Sequence, residues 1–191
     1  MIINVFGECD RRPVLYTLMK ICQTLGDVLV VSDDVSILRL SDTKESGGHY
    51  QNTMIAFAKE GLDDYMASSE YTYSDFDFTL VDGMLCAEAD IYILVNGLAT
   101  SENLSLAMEC VEDYISIQLF GKGYIQKDTM LYMEQFEALG TMCPISVKLA
   151  QDLSKLLSTK LKVDAKTLLT AATSNQFART EKPRHFRKGK Q

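Results

Sequence analysis

No stretch of this chain approaches the ~20 uninterrupted apolar residues that a bilayer-spanning helix needs, so a transmembrane protein is not expected. The first residues enter a strand-like pattern at once, without the basic segment, apolar core and cleavage site of a secretory leader, which argues against secretion. Cysteines are odd in number and scattered: Cys9, Cys22, Cys86, Cys110 and Cys143. No Cys-x-x-Cys occurs, and the two histidines, His49 and His185, lie far from the cysteines in sequence. That pattern supports neither a disulfide framework nor a metal site. It fits reduced cysteines used as small core residues. No internal repeat is visible.

What is present suits one domain. At 191 residues the chain is long enough for a single proper core and too short for two. The net charge of −7 hides an asymmetry. Beyond residue 178, Arg179, Lys182, Arg184, Arg187, Lys188 and Lys190 stand against Glu181 alone, a net +5. The remainder therefore carries −12. An acidic body with a basic tail marks an interaction arm or a solvated terminus. Phe186 among the cations favours contact with something flat or anionic. Residues 1–178 are therefore expected to form the domain and residues 179–191 a disordered basic tail. That tail is a candidate for docking on an acidic protein, nucleic acid or an anionic membrane. The other possibility is a clasp, with Phe186 and its neighbours packed on the acidic body.

Two segments carry the fold. Asp75 to Gly83 (Asp-Phe-Asp-Phe-Thr-Leu-Val-Asp-Gly) and Ala89 to Val95 read as buried parallel strands, the first ending in Asp82 and Gly83. Ligands in open α/β sheets bind beyond the carboxyl ends of such strands. Upstream, Ile2 to Phe6 reads as a strand, and Gly7-Glu8-Cys9-Asp10-Arg11-Arg12 as a loop. A helix follows with a stripe of Val14, Leu15, Leu18, Ile21, Cys22 and Leu25. Pro13 fits its first turn and Gly26 is placed to end it. Asp27 to Asp34 is a second strand tipped by Asp33 and Asp34.

Downstream, Ser41 to Asn52 reads as an exposed loop. Met54, Phe57, Ala58, Gly61, Leu62 and Tyr65 recur at helical spacing. Ser68 to Ser74 is a second loop, with Tyr71 and Tyr73 on a half-buried rim. Ser101 and Asn103 suit a cap for a helix through Leu104, Ala107, Met108 and Val111. Ile115 to Phe120 alternates as a strand. Asp128 to Leu139 has helical spacing, and Met142 to Ser146 is extended, with Pro144 placing it at an edge. Val147 to Leu161 is a helix, and Asp164 caps a last one. The fold expected is a mostly parallel open sheet with helices on both faces, Rossmann-like and P-loop NTPase-like.

This order of elements, over roughly residues 1 to 150, resembles the ParA/MinD family of deviant P-loop ATPases, which includes the TadZ/CpaE-type localisation proteins. The best local matches are Asp27 to Asp34 and Asp75 to Val95. The resemblance implies magnesium-ATP held by a glycine-rich loop, acids that align water and metal, and face-to-face dimers. Here that loop keeps only Gly7. Glu8 and Asp10 would oppose phosphate, at a cost of about 4 kcal/mol for like charges ~4 Å apart near a surface. Pro13 has no amide hydrogen to donate and Val14 cannot ligate magnesium.

The first expectation is therefore a non-catalytic scaffold or localisation protein in a partition, secretion or conjugation-type assembly. It would be cytoplasmic, with protein partners or a second copy, recruited to membrane or nucleoid by a partner, and without cofactor. An active magnesium-ATP switch ranks second, with Gly7, Arg11, Arg12, Asp33, Asp34, Asp82 and Gly83 as its nucleotide residues. A receiver-like phosphoacceptor ranks third, with Asp33 and Asp34 as the acidic pair, Asp82 as acceptor and Lys122 as its lysine. Against that third reading, only residues 83 to 89 separate the strand of Asp82 from that of Ile91. A helical parallel crossover needs about a dozen.

Overall fold

A computed structural model of the chain describes residues 1–96, 104, 106, 109–111, 113–118, 130–132, 136–137 and 145–174. Its centre is an eight-stranded sheet. The strands are β1 (Ile2–Phe6), β2 (Val28–Ser32), β3 (Gly48–Tyr50), β4 (Thr53–Phe57), β5 (Phe78–Gly83), β6 (Ile91–Asn96), β7 (Ile115–Gln118) and β8 (Met130–Tyr132). They lie in the order β3-β4-β2-β5-β1-β6-β7-β8. Only β3 is antiparallel to its neighbour. Seven strands thus end at one edge, which gathers Gly7, Ser32, Asp33, Asp82 and Gly83.

Alternation along the strands sorts the two faces. Ile3, Val5, Val28, Val30, Leu80, Ile93 and Ile117 pack on one side against α1 (Arg12–Gln23), α3 (Val147–Leu161) and α4 (Ala165–Thr173). Leu29, Val31, Met54, Ala56 and Val81 meet Leu62 and Tyr65 of α2 (Leu62–Ser68) on the other. On that second side Phe6 and Leu94 also pack with Leu104, Val111 and Tyr114. The strands are apolar on both faces because both are covered. The expected α/β single domain, mostly parallel and with helices on both faces, is what forms.

Helix α1 is buried from Pro13 to Gln23, more completely than one apolar stripe implies. Its polar residues are tied down. Thr17 Oγ1 donates to the Pro13 carbonyl, Lys20 Nζ to the Ser174 carbonyl, and Gln23 Nε2 to Thr53 Oγ1. Asp164 caps α4 as expected, accepting from Thr167 N at 3.0 Å.

Several sequence expectations are corrected. Residues 54–57 belong to β4, and only Leu62–Ser68 is helical. Met54 and Ile55 are both buried because each face of β4 is covered, which imitates part of a helical spacing. The loop expected over 41–52 contains β3, turned into β4 through Gln51 at φ 58. Within the helix expected over 128–139 lie two strands, β8 and β9 (Phe136–Glu137), the latter antiparallel to β10 (Ile145–Ser146). Gly26 does not supply a left-handed helix end. A Cβ there would stand 2.3 Å from Asp77 Oδ2, so close approach of that side chain requires glycine. The capping expected of residues 101 and 103 and the Lys122 of the receiver reading lie outside the described residues, as does the tail.

The short link from β5 to β6 has a specific solution. The two strands are not neighbours, because β1 lies between them and parallel to both. Residues 84–90 cross over β1 without a helix. Asn4, fully buried in β1, donates to the carbonyls of Val81 (3.1 Å) and Met84 (2.9 Å) and accepts from Cys86 N (3.0 Å). One amide thereby satisfies backbone groups that a helix would have satisfied internally.

Candidate functional site

The site is built where β1, β2 and β5 end. Arg11, just before α1, reaches across that edge. Its Nε donates to Asp82 Oδ1 (2.7 Å), its Nη2 to Asp33 Oδ1 (3.1 Å) and its Nη1 to the Gly7 carbonyl (2.7 Å). The Arg11 and Asp82 side chains are 19% and 6% exposed, so this is a largely desolvated ion pair. Ser32 Oγ donates to the other Asp82 oxygen at 2.7 Å and accepts from Asp34 N at 3.0 Å. Both oxygens of Asp82 are therefore engaged, one by a cation and one by a hydroxyl.

The glycines permit this closeness. Gly83 has φ 104, and a Cβ there would fall 2.0 Å from the Asp33 carboxylate. Gly7 has φ 124, and a Cβ would fall 2.2 Å from the Val95 carbonyl oxygen. Only glycine suits a backbone of that hand at such distances.

Burial works against the Arg11 charge, but Asp82, Asp33 and Asp34 outweigh it and push its pKa up. It stays a cation and cannot act as an acid or base. Burial pushes the Asp33 carboxyl up, with Asp82 and Asp34 adding to the effect and Arg11 opposing it. The other two candidates face elsewhere. Arg12 forks onto Asp10 (2.7 and 2.6 Å) in solvent, and its hydrogen bond holds the Asp10 carboxyl below its usual range. Asp34 caps the 3-10 turn Val35–Leu40, and hydrogen bonds from Ser36 hold its carboxyl low.

Five candidates thus come together: Gly7, Arg11, Asp33, Asp82 and Gly83. Arg12 and Asp34 border them. Sequence reasoning missed Ser32 and Asn4. A polar residue closing the apolar run Val28–Val31 was the available signal for Ser32. The Asp82 carboxylate receives Arg11 and Ser32, partners 71 and 50 residues away in sequence. The six cations of the tail lie outside the described residues.

In this arrangement the Arg11 guanidinium lies between the Asp33 and Asp82 carboxylates, and both oxygens of Asp82 are shared, with Arg11 and Ser32. Among the described residues, no three His, Cys, Asp or Glu side chains are grouped to hold a metal ion. His49 lies in β3, at the far edge of the sheet, so no histidine base serves Ser32 among them. No described helix is long and apolar enough to cross a membrane.

Beside the pair runs a cleft of about 460 Å³ between α1 and the 35–40 turn. Its walls are Leu15, Tyr16, Met19, Ile37 and Leu40, with Asp10, Arg12, Asp34, Ser36 and Arg39 at the polar end, and Ser32 and Asp82 among its lining. This volume lies within the range of small-ligand pockets, ~300–1,000 Å³. No family model matches the chain, and no curated protein matches it in sequence.

Proposed function

We propose that this protein is a non-catalytic, ParA/MinD-like scaffold or localisation partner whose nucleotide crevice is closed by its own arginine. One observation carries the reading: Arg11 binds Asp82, Asp33 and the Gly7 carbonyl at once. A guanidinium fixed in this way neutralises the acids that a nucleotide switch would turn toward metal and water. The β1–α1 loop offers phosphate little in compensation, since Glu8 and Asp10 oppose an anion and Pro13 lacks an amide hydrogen. What remains is a rigid α/β body able to hold partners, including a second copy, by its surface.

A live switch is the second reading. It draws support from the 32% exposure of the Asp33 side chain, which leaves one arm of the Arg11 bridge open to competition. The receiver reading loses support from the strand order. In flavodoxin-like sheets the first two strands are neighbours, whereas here β5 separates β2 from β1. Turnover tests the choice: the scaffold hydrolyses no ATP above background. A hydrolysis or phosphotransfer rate that disappears in Asp82→Asn would overturn it.

A further inference from the structure

No further inference is drawn: the strongest candidate, the Asn96 carboxamide at the carboxyl end of β6, is 1% exposed with neither its nitrogen nor its oxygen hydrogen-bonded among the described residues, and nothing in the structure shows what covers it.

Discussion

Arg11 Nε and Asp82 Oδ1 stand 2.7 Å apart, joining the start of α1 to the carboxyl end of β5 across 71 residues of sequence. On the reading proposed above, the same contact also closes the crevice. Truncating Arg11→Ala leaves Asp82 buried with only the Ser32 hydroxyl. The expected loss is about 2–3 kcal/mol, read from urea denaturation. Asp82→Asn is expected to lose a similar amount, and the double variant less than the sum. Strict additivity would show that the pair is not coupled.

The crossover depends on Asn4. Asn4→Leu fits the strand but strands two carbonyls and an amide hydrogen beneath residues 84–90. A loss of about 3–5 kcal/mol is expected, from roughly 1–3 kcal/mol per unsatisfied buried group with partial relief by rearrangement. A loss below about 1 kcal/mol would mean that the crossover finds other partners.

Acid titration separates Asp33 of the site from its neighbours Asp10 and Asp34. Asp10 and Asp34 have lowered pKa values in the fold, so their contribution is present above the unfolded value of 3.8 and is lost as pH falls below it. Asp33 is raised, so its ionisation costs stability as pH climbs through and above 3.8. The deficit of Asp34→Ala is therefore expected to shrink below about pH 4. Asp33→Asn is expected to gain on the wild type as pH rises from below 3.8 to above it. Denaturation midpoints across that range check both signs.

Thiol accessibility gives a simpler check of packing. Burial pushes the Cys22 thiol up to about 12, whereas Cys110 is exposed. Iodoacetamide at pH 8 is expected to label Cys110 readily and to leave Cys22 untouched until denaturant is added. Early labelling of Cys22 would contradict the packing of α1.

The legible parts of the fold were those with one dominant signal. Continuous apolar runs gave β1, β2, β5 and β6, the stripe with Pro13 gave α1, and Asp164 gave the start of α4. Residues 54–57 misled because a strand buried on both faces places Met54 and Phe57 at helical spacing by accident. At the site, acids at strand ends were visible as such, because position along a strand is local information. The role of Arg11 was not, since Gly7, Asp33 and Asp82 meet it only once β5 is inserted between β2 and β1. Ser32 and Asn4 act through partners up to 82 residues away, a distance that periodicity does not encode.

Calorimetric titration with magnesium-ATP tests the central claim most directly, because on the proposed reading the Arg11 bridge occupies the carboxylates that a nucleotide's magnesium ion would need. The closed crevice predicts no saturable heat at nucleotide concentrations below the millimolar range. A micromolar Kd for magnesium-ATP in the unaltered chain would contradict the scaffold reading and establish a nucleotide switch in its place.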